Sequence, residues 1–268
     1  MGVGIARVSG TDIAYDDVGE GPAVVLNHAY GADMTLWNEQ MGPLSQEHRV
    51  VRFDAPAHGR SSVPTGPYSY DEVLIGLLDD RGIDRAHLVG LSMGGRVVVN
   101  VALAHPERVR SLVLLGAALA GHPTRPDFLP TKGAVVAATQ RGDLETARSR
   151  FLEDPLFDGT RRHPEAMARV AAIYRRFSFW SWASGVPERQ PEPPAIERLG
   201  CITCPTLVIV GDLDVPNILE IAGILEAEIP NARRATLPGV GHFAPLEAPD
   251  AVNALIQEFL REQGAPGV

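Results

Sequence analysis

The chain has two cysteines in 268 residues, Cys201 and Cys204, too few for a disulfide framework. The pair precedes an apolar run, not a helix start, and no second ligand pair exists. Two buried structural thiols are therefore expected rather than a redox or metal motif. Long apolar runs are missing as well: none approaches the about 18 residues of a membrane-spanning helix. Nor is there a basic surplus. The formal net charge is −9, which argues against nucleic acid or an anionic membrane as the main partner. Met1-Gly2-Val3-Gly4-Ile5-Ala6-Arg7 lacks the basic-then-apolar order of a secretory signal, and Ala6 stands where a myristoylation signal has Ser or Thr. A cytoplasmic protein is expected. No histidine pair has metal-ligand spacing, so no metal is expected. No internal repeat or low-complexity tract occurs.

What is present is 45% hydrophobic residues, enough for one large domain or a domain with an insertion. Loose alternation over residues 4–17 suggests an edge hairpin. The short continuous apolar runs Ala23 to Leu26, Val50 to Phe53, His87 to Val89, Leu112 to Leu115 and Thr206 to Val210 mark strands buried on both faces. Arg234 to Leu237 adds another. Helical spacing separates them over residues 70–80, 96–104, 218–227 and 250–262. Strands alternating with helices imply a mostly parallel twisted sheet of about eight strands, covered on both faces, an α/β fold. From residue 117 to 197 the strand pattern stops, proline and charge become frequent, and helical patches appear at 133–153 and 164–178. Residues 1–116 and 198–268 thus form the core, and 117–197 an inserted helical segment.

The centre of the pattern is Gly90-Leu91-Ser92-Met93-Gly94-Gly95. A strand ending in Gly-x-Ser-x-Gly that turns at once into a helix is the mark of a nucleophile elbow. The turn is tight enough that side chains two before and two after the serine would collide, and glycines remove them. Serine is a weak nucleophile at neutral pH and needs a base, itself oriented by a third group. In open parallel sheets such groups lie beyond the carboxyl ends of strands. There stand Gly211-Asp212-Leu213-Asp214-Val215-Pro216 and, later, Gly239-Val240-Gly241-His242-Phe243. The order Ser, Asp, His is the one expected for this arrangement.

These three motifs, with His105-Pro106-Glu107-Arg108-Val109 after the elbow helix, resemble the α/β-hydrolase fold with an inserted cap, over nearly all the chain outside 117–197. The resemblance makes the last residue of Gly-x-x-Asp the acid, which is Asp214, with Asp212 its neighbour. His242 would act as general base and acid, Ser92 as nucleophile. The oxyanion would meet the backbone N–H of Met93, directly after the nucleophile, and that of Tyr30, placed by the family's His-Gly-x pattern, which here reads His28-Ala29-Tyr30 with Trp37 following. Ala29 and Ala57 stand where the family usually has glycine, which puts the shape of those loops in question. If that glycine has φ > 0, alanine costs on the order of 1 kcal/mol. His28 and His58 are read as structural.

The elbow and the length of the inserted segment are similar to those of the esterase, enol-lactonase and cofactor-free haloperoxidase group. A serine nucleophile disfavours epoxide hydrolases and haloalkane dehalogenases. A serine hydrolase of small carboxylic esters or lactones is expected, without metal or organic cofactor, as a monomer or homodimer. The alternatives on the same three residues are a carbon–carbon bond hydrolase of aromatic ring-fission products and an amidase or perhydrolase. A receptor-like member that binds a small ligand is a third. Tyr30, Phe179, Trp180 and Phe243 are the expected pocket residues, the aromatic cluster Phe177, Phe179, Trp180 and Trp182 forming a lid.

Overall fold

A computed structural model describes residues 3–264 except 124, 126 and 127. The strands are β1 (Gly4–Val8), β2 (Thr11–Val18), β3 (Ala23–Asn27), β4 (Arg49–Phe53), β5 (Ala86–Leu91), β6 (Val109–Leu115), β7 (Thr206–Gly211) and β8 (Ala232–Leu237). They form one sheet in the order β1-β2-β4-β3-β5-β6-β7-β8. β2 runs antiparallel to β1 and β4, and every other pairing is parallel.

The helices are α1 (Asn38–Leu44), α2 (Tyr70–Asp80), α3 (Met93–Ala104), α4 (Lys132–Gln140), α5 (Leu144–Leu152), α6 (Pro164–Tyr174), α7 (Trp180–Ala183), α8 (Pro216–Glu228), α9 (Ala244–Glu247) and α10 (Pro249–Gly264). Their starts follow from local chemistry. The Ser69 hydroxyl accepts from the Glu72 N–H at the head of α2, satisfying one of the free amides there. α6, α8 and α10 each open on proline, which has no N–H to leave unpaired.

Successive strand residues face opposite sides, so the sheet divides the core in two. Val25, Val51, Leu88, Leu112 and Leu114 pack on one side with α2, α3 and α8. Val24, Leu26, Val50, Val89, Val113 and Leu115 pack on the other with α1 and α10. β3, β5 and β7 are buried at every residue, as their unbroken apolar runs require. The valine run of α3 is helical despite its β-branching, because tertiary burial overrides propensity: Val97, Val98, Val99 and Val101 are fully buried.

Between β6 and β7 the described residues carry α4 to α7 and short 3-10 turns, and no strand of the sheet. Val135, Phe151, Val170 and Tyr174 of these helices join the second core cluster. The expectation of two buried thiols is corrected. Cys201 is exposed and Cys204 half-buried. Cys201 ends the 3-10 turn Leu199–Cys201, in which Leu199 takes the inward place. No helix among the described residues is long and apolar enough to cross a membrane.

Candidate active site

Ser92 sits between β5 and α3 at φ 55° and ψ −113°, a conformation that L-residues rarely adopt. Three backbone bonds hold it. Its N–H donates to the Leu115 carbonyl (3.0 Å), and its carbonyl accepts from Arg96 (3.1 Å) and Ala118 (3.0 Å). A Cβ on Gly90 would lie 2.6 Å from the Gly95 nitrogen, and one on Gly94 2.8 Å from the His28 carbonyl oxygen. Only glycine lets β5, α3 and the loop after β3 meet here.

Asp214 follows β7 and His242 follows β8, and both are nearly wholly buried. The imidazole Nδ1 lies 2.9 Å from Asp214 Oδ2 and 3.1 Å from Oδ1. A carboxylate only accepts, so Nδ1 carries the proton and Nε2 is left as the free acceptor. Nε2 is buried and without a hydrogen-bond partner among the described residues. It makes no hydrogen bond to Ser92, but both residues line one cavity of about 50 Å³. Such bonds commonly tighten only when substrate binds. Asp212, the other candidate acid, instead accepts from the Gly239 N–H at 2.7 Å near the surface. Beneath the pair lies Gly116 at φ 42°. A Cβ there would come 3.1 Å from Asp214 Oδ2 and 3.2 Å from His242 Nδ1. Sequence reasoning passed over Gly116, because its neighbours arrive from two other strands.

The N–H groups of Tyr30 and Met93 donate to no backbone acceptor among the described residues. Tyr30 is fixed at both ends. Its carbonyl accepts from the Tyr174 hydroxyl (2.6 Å), and its own hydroxyl accepts from Ser181 (2.9 Å). Burial pushes its phenol pKa well above the usual value, so the ring stays neutral. The turn after β3 places its positive φ at Gly31, not at Ala29, so Ala29 carries no backbone strain. Ala57 does, at φ 63°. His28 links the two loops: its Nδ1–H donates to the Ala29 carbonyl (2.8 Å), and Nε2 accepts from the Ala55 N–H (2.9 Å). His58 donates to the Pro56 carbonyl at 2.8 Å and stacks on Phe177. Burial, then the nearby His28, drives its pKa down to about 3, so it too stays neutral.

A larger cavity of about 480 Å³ also reaches Ser92. Tyr30 lines both cavities and Phe243 the small one, whereas Phe179 and Trp180 line neither. Phe179 is fully buried against Phe151 and Phe177, and Trp180 packs on Tyr68. Trp182 takes the expected place, because residues two apart on a helix face opposite ways. One wall is polar. Arg96 pairs with Glu188 at 2.7 Å, and its Nη1 is buried without a hydrogen-bond partner among the described residues. The Lys132 ammonium stands 5.0 Å over the Trp182 ring, a favourable cation–π contact. Arg96 was within reach of the sequence, being one helical turn after Ser92 on the same face. Lys132 and Glu188 were not, since only folding brings them to that turn.

The strand order, the elbow and the buried acid–histidine pair define a hydrolase architecture. Residues 22–249 match the sequence model of the alpha/beta hydrolase fold family, and the chain belongs to that family. It is 33% identical over 264 residues to a 2-hydroxy-6-oxononadienedioate/2-hydroxy-6-oxononatrienedioate hydrolase of Burkholderia vietnamiensis, spanning 93% of this chain and 91% of that one. The enol-lactonase of Burkholderia xenovorans superposes with a TM-score of 0.82 at 27% identity, over 96% of this chain and all of the other. A meta-cleavage product hydrolase from Pseudomonas fluorescens gives a TM-score of 0.78 at 28% identity, over 97% and 98%. The protein is a hydrolase of this fold.

Proposed function

We propose that the protein cleaves a carbon–carbon bond next to a ketone in small oxo acids of the ring-fission type, with Ser92 as nucleophile, His242 as proton shuttle and Asp214 as its orienting acid. The observation that carries the reading is the buried pair in which Asp214 holds Nδ1 of His242, leaving Nε2 without a partner among the described residues, while His242 and Ser92 line one cavity. The bond type draws its support from the relatives. The expectation from sequence put esters or lactones first, but the named activities of the similar proteins favour carbon–carbon cleavage.

In this mechanism Ser92 Oγ attacks the ketone carbon and its proton passes to His242 Nε2. The oxyanion is received by the N–H groups of Tyr30 and Met93. A carbon leaving group departs only if its electron pair is delocalised. A 2-hydroxy-6-oxo-dienoate provides this once its enol has shifted to the 2-oxo form, which takes up the pair. The fragment departs as a dienolate with the pair on its 2-oxygen, which takes the proton held on His242 Nε2, and water activated by the freed imidazole then releases the acid from the serine ester. The helical segment 117–197 acts as a cap that places Trp182, Lys132 and Glu188 over the site. Arg96 and Lys132 suit a substrate bearing a carboxylate.

The test compares a ring-fission dienoate, p-nitrophenyl butyrate and a γ-lactone. The dienoate should be turned over with at least tenfold higher kcat/KM than either ester, and Ser92→Ala should lose several orders of magnitude. Faster hydrolysis of the ester or lactone would move the reading to ester cleavage, which the enol-lactonase neighbour favours. Full activity in Ser92→Ala would overturn the nucleophile.

A further inference from the structure

The loop that carries His242 is held from behind by one side chain. Glu247, in α9, has a wholly buried carboxylate. Its Oε2 accepts from the Gly241 N–H at 2.5 Å and its Oε1 from the Phe243 N–H at 2.9 Å. Those are the two amides flanking His242. Oε1 also accepts from the Thr160 hydroxyl at 2.7 Å, and Thr160 belongs to the segment between β6 and β7. Two further links join the same surfaces. His163 Nε2 donates to the Gly239 carbonyl at 2.8 Å. Gly159 and Gly241 pack backbone to backbone, so closely that a Cβ on either would meet the other's Cα at 2.5 to 2.7 Å.

We propose that Glu247 is a positioning residue for His242, and that Thr160 sets Glu247, so that the helical segment is mechanically joined to the imidazole. The physical grounds are direct. The imidazole is held at Nδ1 by Asp214, but no group among the described residues holds Nε2. Its direction toward Ser92 therefore depends on the backbone on either side. A buried carboxylate accepting both flanking amides fixes that backbone with charge-assisted bonds. A small error in the aim of a proton shuttle is expensive in rate. This rests on His242 being the base, as proposed above.

The test uses Glu247→Gln, Thr160→Val and Thr160→Ser in the full chain, assayed well below their thermal midpoints. Glu247→Gln keeps the shape but can accept from only one of the two amides. It should lower kcat about 10- to 100-fold with KM changed less than about twofold, and slow fluorophosphonate labelling of Ser92 in proportion. The downfield NMR signal of the His242 Nδ1 proton should shift or broaden. Thr160→Val should show a smaller loss of the same kind, and Thr160→Ser should restore wild-type values. If Glu247→Gln lowers the thermal midpoint but leaves kcat and the Nδ1 signal at wild-type values, the role is only structural and the proposal falls. The NMR signal needs no turnover. A wild-type chain that ignored the serine probe would thus refute the nucleophile while the positioning test stood.

Discussion

Gly116 offers the sharpest test of how the fold serves the site. Substituting Gly116→Ala adds one methyl group at φ 42°, 3.1 Å from Asp214 Oδ2 and 3.2 Å from His242 Nδ1. Two costs separate cleanly. The left-handed conformation itself costs about 1–2 kcal/mol for a residue with a Cβ. For a chain of this size the thermal midpoint falls about 2–4 °C per kcal/mol. The methyl also forces the imidazole or the carboxylate back by a few tenths of an ångström. Since a 1 Å misplacement costs about a hundredfold in rate, kcat should fall about 3- to 10-fold, with KM little changed. The control is Gly82→Ala. Gly82 has φ 61° and open space around it, far from the site at the end of α2. It should lose comparable stability and no activity. Differential scanning fluorimetry and steady-state kinetics read the two effects. If Gly116→Ala destabilised like Gly82→Ala but kept full kcat, the contact with the His–Asp pair would not govern activity.

Other outcomes follow from single observations. Burial, then His48, drives the His87 pKa down to about 4, and its Nδ1 lies 2.7 Å from the Ser111 hydroxyl. Because the folded value is below the unfolded one of about 6.5, the unfolded chain takes up the proton first, and stability is lost as pH falls from about 6.5 to 4, by on the order of 3 kcal/mol. Thermal midpoints across that window should fall less steeply in His87→Gln; an equal slope would remove His87 from the account. Lys132→Met should raise KM for a carboxylate-bearing ester, p-nitrophenyl hemiglutarate, about 5-fold or more while leaving neutral p-nitrophenyl butyrate within about twofold; equal effects on both would mean that Lys132 does not read substrate charge. Ala57→Gly relieves a left-handed alanine but loosens the unfolded chain, a net gain of about 0.5–1 kcal/mol, visible as a midpoint rise of about 1–4 °C. A lower midpoint would contradict the strain at φ 63°.

The sequence by itself determined the sheet and the order of its chemistry. Short apolar runs bounded by turn residues mark strands buried on both faces, and β3, β5, β6 and β7 fall on those runs. The elbow was legible because steric collision at Gly90 and Gly94 is a local constraint, written within a few residues. What only the tertiary structure decided involves partners far apart in the chain. Phe179 and Trp180 carry the aromatic signal of a lid, yet the turn of α7 sends Trp182 to the cavity instead. The exposure of Cys201, the meeting of Arg96, Glu188 and Lys132 at one cavity, the glycine beneath His242 and the grip of Glu247 on its loop leave no periodic trace in sequence. Each depends on where strands and loops converge at the sheet edge, and that convergence is fixed by packing of the whole chain, not by any local pattern.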